Sequence, residues 1–284
     1  SPFEFGLLYA GSDDGLVHVT KNGGGNWQNI SSSFPKDLWV SRVIASSHKK
    51  ERVYVTLNGY RWDDFTSYVY SSDNYGATWT SIANNLPSSP VNVIREDPAN
   101  ENVLYLGTDN GAYVSINKGQ SWEAFSEGLP NVAVHDLVVQ ARDKDLVVGT
   151  HGRSIYTADI SLLQQISEAN MSNVMVADMQ SARASRRWGT TGFNQYGDYF
   201  EPSMDISVFA PAAGNAMITI TSESGKELKT WNKDVSKGFN KIAYNASVSD
   251  KGKKLLEKAE VKAWTGDNGT SYLPAGMYTV SVSV

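Results

Sequence analysis

Four consecutive residues, Arg61-Trp62-Asp63-Asp64, set a guanidinium, an indole and two carboxylates side by side. Paired carboxylates hydrolyse glycosidic bonds when ~5–5.5 Å apart (retention) or ~6.5–9.5 Å apart (inversion). Asp63 and Asp64 are the catalytic candidates, with Asp13 or Asp109 as the second carboxylate. Guanidiniums take carboxylates through paired hydrogen bonds, and indoles stack on flat or cationic faces. Arg61, Trp62, Arg95, His135, His151 and Arg153 are therefore the ligand-binding candidates, for a sugar or a peptide carboxylate. The four histidines, at 18, 48, 135 and 151, show no metal-ligand spacing, and no metal is expected. A Gly-x-Ser-x-Gly elbow, a His-Glu-x-x-His helix and a phosphate loop are all missing, so no cofactor is implied and enzyme activity stays an open question.

These residues need a scaffold, and an internal repeat supplies one. Thr20-Lys-Asn22-Gly-Gly24-Gly-Asn26-Trp27, Ser72-Asp-Asn74-Tyr-Gly76-Ala-Thr78-Trp79 and Ser115-Ile-Asn117-Lys-Gly119-Gln-Ser121-Trp122 align without gaps. Their starts lie 52 and 43 residues apart, close to the ~40–50 residues of a four-stranded propeller blade. Asn accepts from backbone N–H groups further along the turn, Gly supplies a positive φ, and Trp opens the next strand with a ring to bury between blades.

Whole blades follow. One runs through Val40–Ser46, Val53–Thr56, Tyr68–Ser71 and Trp79–Ala83; the next through Val91–Glu96, Val103–Gly107, Ala112–Ser115 and Trp122–Phe125. An incomplete first unit starts at Leu7–Ala10, and a last one supplies Val134–Val139, Leu146–Thr150 and Ile155–Ala158. The fold class expected is all-β: a partial β-propeller of about four blades of a larger ring, followed by a small β-sandwich. The blades occupy 1–160, a helix (Leu162–Ala169) and linker 161–202, and the sandwich 203–284. Its strands are Asp205–Ala210, Ala216–Ser222, Glu227–Trp231, Asn240–Asn245 and Tyr278–Val284, with alternating apolar residues at Met217, Ile218 and Ile220 and a Lys-rich helical insertion near Lys251–Lys262. The pattern suits an immunoglobulin or fibronectin type of sandwich.

Blade geometry sorts the loops. The repeat turns join strands three and four, so they emerge opposite the strand-two/three hairpins and read as scaffold. The hairpin face carries Asp13 and Asp14, Arg61 to Asp64 in a long loop (Leu57–Ser67), Asp109 and Asn110, then His151 and Arg153. Arg42, Arg95, Glu96, His135 and Asp136 lie on inner strands near the channel, where Arg42 and Arg95 either pair with Glu96 and Asp136 or bind ligand. Asp13 and Asp109 sit in Gly-Ser/Thr-Asp-x-Gly turns that Asp suits for local reasons. His135 and His151 can meet on adjacent strands.

The repeats, with Pro90-Val-Asn-Val-Ile-Arg-Glu-Asp97 and Val147-Val-Gly-Thr-His-Gly-Arg153, resemble the bacterial sortilin-like Asp-box (BNR-repeat) propellers, often labelled glycosyl hydrolases. The tail, with Gly238-Phe-Asn-Lys-Ile-Ala-Tyr244 and Pro274-Ala-Gly-Met-Tyr-Thr-Val280, resembles the end of the same family. The resemblance implies a secreted, periplasmic or cell-surface protein with further blades upstream of Ser1. Together with the hairpin-face residues, it points to an extracytoplasmic module binding peptide, protein or glycan on the face bearing Asp63, Asp64, His151 and Arg153. The alternatives are a glycoside hydrolase using carboxylates of that face, or a structural part of a surface or secretion assembly.

The bulk chemistry narrows the partners. Net charge is -5, with 40% hydrophobic and 19% charged residues and no Cys. The basic stripe that a phosphate backbone needs is missing, so nucleic acid is not expected. Disulfide and thiolate chemistry are excluded. No apolar run approaches the ~18 residues of a membrane span. Ser1 follows no initiator Met or signal peptide, which reads as a fragment or a processed product.

Overall fold

The computed structural model describes residues 1–125, 128–167, 170–179, 181–191 and 197–284. Contacts divide the chain into two units, Ser1–Ser167 and Glu168–Val284.

The first unit is a series of antiparallel meanders. β1 (Leu8–Gly11), β2 (Val17–Thr20) and β3 (Gln28–Asn29) form a three-stranded sheet. β4 (Trp39–Ala45), β5 (Val53–Gly59), β6 (Asp64–Ser72) and β7 (Thr80–Ser81) form the second, with four strands. The third is β8 (Val91–Glu96), β9 (Leu104–Thr108), β10 (Gly111–Ser115) and β11 (Glu123–Ala124); the fourth is β12 (Val134–Gln140), β13 (Asp145–Thr150) and β14 (Ile155–Asp159). Each sheet packs on the next, β1 on β4, β5 on β8 and β9 on β12, which is the blade-to-blade stacking of a partial propeller.

The repeat turns build the blades as their residue types predict. In the second, Gly76 N–H donates to Ser72 Oγ (2.9 Å) and Thr78 N–H to Asn74 Oδ1 (2.9 Å). The third repeats this with Gly119 on Ser115 (2.8 Å) and Ser121 on Asn117 (2.9 Å); the first with Gly24 on Thr20 (3.0 Å) and Asn26 on Asn22 (2.9 Å). Gly76 and Gly119 hold φ of 86° and 84°, and a Cβ on either would press into the Ile of the preceding blade, Ile30 or Ile82.

The Trp that ends the second and third repeats reaches backwards. Trp79 Nε1 donates to Ile30 O and Trp122 Nε1 to Ile82 O, both at 2.7 Å. Trp122 is buried at 3% exposure, whereas Trp27 is 44% exposed.

A buried polar seam joins the second and third blades on the repeat-turn side. Glu96 accepts from Ser46 Oγ (2.8 Å), Ser47 N–H (2.7 Å) and Tyr54 OH (2.9 Å). Arg52 bridges Asp73 of its own blade (2.7 Å) and Glu101 of the next (3.1 Å). Helix α1 (Ser161–Gln165) docks on the same blade, where Asn100 Nδ2 donates to Ile166 O (2.6 Å) and Gln164 Nε2 to Asp97 Oδ2 (3.0 Å). The expected helix over Leu162–Ala169 is thus shorter; its Glu168 and Ala169 lie outside the described residues, as do Gln180 and 192–196 of the expected linker.

The second unit is a two-sheet sandwich. β15 (Met175–Val176), β16 (Met204–Ala210) and β19 (Gly238–Tyr244) form one sheet; β17 (Gly214–Ser222), β18 (Glu227–Val235) and β22 (Tyr278–Ser283) form the other. Ile206, Val208 and Ile242 of the first meet Ala216, Ile218 and Ile220 of the second in one core. Of the apolar residues noted in β17, Ile218 and Ile220 face the core, and strand alternation turns Met217 out to 47% exposure. α2 (Asp250–Lys258) is capped by Ser249, which accepts from Gly252 N–H, and β20 (Trp264–Thr265) pairs with β21 (Ser271–Tyr272).

Candidate functional site

The loop carrying Asp63 and Asp64 is not a long loop. β5 continues to Gly59 and β6 begins at Asp64, leaving only a 3-10 turn, Tyr60–Trp62, and Asp63 at the tip. Side chains close it: Asn58 Oδ1 accepts from Tyr60 N–H (3.0 Å), and Asp63 takes a left-handed φ of 57° with its N–H on Tyr60 O (3.3 Å). Asp64 accepts from Thr66 N–H and from Tyr68 OH, both at 2.9 Å. The Thr66 N–H, seconded by Tyr68, holds the Asp64 carboxyl below the usual range. A general acid needs the opposite shift. Asp64 is a bracket for the hairpin, while the Asp63 carboxylate has no protein partner among the described residues.

Around that tip stands an aromatic group. The Arg61 guanidinium lies 5.1 Å from the Trp39 ring and 5.8 Å from that of Tyr60, with Trp62 69% exposed beside them. The Tyr60 hydroxyl, and more distantly Asp13 of the first blade's hairpin, raise the guanidinium pKa. Asp14 is tied to Ser12 Oγ, which lowers its carboxyl. Asp109 is likewise engaged, since Asn92 Nδ2 donates to it (2.8 Å) and Asn58 Nδ2 donates to Asn92 Oδ1 (2.9 Å).

The inner strands of three blades share one irregularity. Register slips between Val40 and Arg42, between Val91 and Val93, and between Val134 and Asp136. Each slip is a bulge that re-aims one polar residue: Ser41, Asn92 or His135. Ser41 Oγ donates to Val91 O of the next blade (2.7 Å), and His135 lies against His151, ring centroids 5.1 Å apart. That His pair was expected only as a possible meeting. The bulges themselves were missed, although Val followed by a polar residue recurs at Val40-Ser41, Val91-Asn92 and Val134-His135.

Two arginines converge on one carboxylate at the inner wall. Arg42 Nη2 donates to Asp136 Oδ1 at 2.9 Å and Arg95 Nη2 to the same oxygen at 3.3 Å; Arg95 Nε also holds Leu137 O (2.7 Å). Arg42 belongs to β4 and Asp136 to β12, so its side chain spans the third blade's inner strand. Burial pulls the Arg42 guanidinium down, Asp136 partly restores it, and Arg95 opposes it. Arg42 Nε is buried without an acceptor. Of the pairings expected for these arginines, Asp136 is formed; Glu96 turns instead to Ser46, Ser47 and Tyr54, because β8 alternation sends it into the seam. Arg153 stands exposed in the His151 hairpin.

Acid should loosen the first unit. Lys118, with Arg52 behind it, lowers the Glu101 carboxyl, as Thr66 lowers that of Asp64. Such groups stabilise the fold above the unfolded pKa of about 4, and the contribution is lost as pH falls through the lower folded values. Thermal unfolding should therefore shift down below about pH 4, less so in the double variant Glu101→Gln/Asp64→Asn; equal acid sensitivity would contradict this.

No protein-family model matches the sequence, and neither does any curated protein. Among solved structures, a GH74 enzyme from Niastella koreensis is similar at 17% identity and a TM-score of 0.46, over 74% of this chain and 33% of that one. The GH74 xyloglucanase from Xanthomonas campestris is similar at 13% identity and a TM-score of 0.44, over 94% of this chain and 41% of that one. YCF48 bound to D1 peptide gives 11% identity and a TM-score of 0.37, over 80% of this chain and 72% of that one. The chain spans 33% and 41% of the two GH74 proteins' length. Likenesses this remote say nothing of what this chain binds.

Proposed function

We propose that the propeller part is a binding module for a peptide, protein or glycan ligand that presents a carboxylate to Arg42 and Arg95. The observation that carries the reading is the sharing of one Asp136 oxygen by two guanidiniums, which leaves cationic donors in surplus on the inner wall. Arg61 with Trp39, and His135 with His151, add stacking surfaces on the same propeller part. Three of the carboxylates that hydrolysis would recruit are engaged elsewhere, Asp64 by Thr66 and Tyr68, Asp109 by Asn92 and Asp136 by the arginines, which leaves Asp63 without a free partner carboxylate among them. Placement outside the cytoplasm remains part of this proposal, resting on the resemblance of the repeats. No helix among the described residues is long and apolar enough to cross a membrane.

The test is binding of the chain to a library of peptides and oligosaccharides in matched acid and amide forms. Acid forms should bind at least about tenfold tighter, and Arg42→Ala or Arg95→Ala should remove that preference, since a bidentate charged contact is worth about 1.5–3 kcal/mol. Oligosaccharide turnover abolished by Asp63→Ala would sink the binding reading in favour of hydrolysis.

A further inference from the structure

The second unit holds a cleft that the propeller argument does not touch. It encloses about 470 Å³ between Glu201, Pro202, Ser203, Lys229, Trp231, Ala243, Tyr244 and Asn245. That is within the ~300–1,000 Å³ of small-molecule sites. One wall is aromatic: the rings of Trp231 and Tyr244 stack with centroids 5.2 Å apart and planes 19° apart. The Lys229 ammonium lies 5.3 Å from the Trp231 centroid and 5.4 Å from that of Tyr244.

Its polar groups are unevenly committed. Glu201 accepts from Asn268 Nδ2 (2.8 Å), Asn245 Nδ2 (3.2 Å) and, at 3.4 Å, Tyr272 OH, so its oxygens are largely spent on the unit's own amides. Lys229 donates to Ser247 Oγ, and among the described residues no carboxylate lies within ion-pairing distance of it. Burial lowers its pKa against the weaker pull of Glu201, the sign of a desolvated ammonium lacking a counter-ion. The cleft thus offers a donor rather than an acceptor, beside a flat apolar wall.

We propose that this cleft binds an acidic sugar residue, its carboxylate on Lys229 and the C–H face of its ring on Trp231. A neutral sugar would leave the ammonium without a counter-ion. A cationic ligand would find Glu201 already taken. A bare inorganic anion would leave the aromatic wall unused.

The experiment is calorimetric titration of the full chain with trigalacturonate, with cellotriose and benzoate as comparison probes. Trigalacturonate should bind, and cellotriose at least about tenfold more weakly, as a charge-assisted contact requires; benzoate, which keeps the carboxylate but has no sugar C–H face to lay on Trp231, should also bind more weakly. Lys229→Met should weaken trigalacturonate at least about tenfold, and Lys229→Arg should restore most of it. Because Lys229 also holds Ser247, a second variant guards against misfolding: Ala243 is an exposed β19 residue, and Ala243→Trp fills the cleft without entering the core. It should abolish binding with an unchanged Tm. Arg42→Ala should leave this binding intact, which separates it from the propeller reading. Equal binding of cellotriose, tighter binding of benzoate, no heat at millimolar trigalacturonate, or full binding by Ala243→Trp would each overturn the assignment.

Discussion

Trp122→Ala should cost the first unit about 3–5 kcal/mol of stability, the range for emptying a buried Trp site. The indole is 3% exposed in the core between second and third blades, against Tyr54, Val69, Ile82, Ile94 and Leu106. Three polar contacts go with its position: Nε1 on Ile82 O (2.7 Å), and its backbone N–H and C=O clasped by the Asn85 side chain, both at 2.8 Å. The truncation therefore opens a cavity and orphans a carbonyl. Trp122→Phe keeps most of the ring but orphans the same carbonyl, and should lose about 1–3 kcal/mol. Trp27→Ala, at the same repeat position but exposed, should fall within about 0.5 kcal/mol of the parent. Denaturant unfolding of the three variants checks the order; equal losses at positions 27 and 122 would contradict the inter-blade role.

Glu96→Ala should be nearly as damaging, at about 3–5 kcal/mol, because it removes a buried charge and strands its donors. Ser46 Oγ, Ser47 N–H and Tyr54 OH all point at the carboxylate, and Arg52 stands 3.9 Å away. Tyr54 is buried at 1% exposure, so its hydroxyl would find no water. Burial, with the Glu96 charge second, already pushes that phenol far above its usual pKa. Glu96→Gln keeps the shape and one acceptor, and should recover over half of the loss. The partial rescue, read by denaturant unfolding, is the informative comparison, because a mere packing role for Glu96 would let the isosteric Gln recover nearly all of the loss.

The blades were legible because their signals are local. Asn74, Gly76 and Trp79 each act within a few residues or on the adjoining sheet, so a gapless repeat carries them. The third blade's strands fell within a residue or so of Val91–Glu96, Leu104–Thr108 and Gly111–Ser115. The tip at Asp63 was misjudged for a physical reason. Polar, aromatic Leu57–Ser67 has no alternation to mark its strands, and what extends them is side-chain bonding from Asn58 and Asp64.

The site was less legible still. Asp64 and Asp63 look alike in sequence, yet one is bonded twice and the other not, a difference set by which residue starts β6. Arg42 and Asp136 stand 94 positions apart and two blades apart, so no spacing rule could join them. Glu96 and Arg95 are neighbours in the chain that alternation sends to opposite faces. What sequence could not rank was commitment: how many of a charged group's bonds are already spent inside the protein.

The backward reach of the repeat tryptophans has a directional consequence. Each indole donor lies on the later blade and each acceptor, Ile30 O or Ile82 O, on the earlier one. A chain leaving the ribosome makes the acceptor first. The second and third blades therefore each arrive carrying a donor for an acceptor that is already made, so these two seams can close in the order of synthesis.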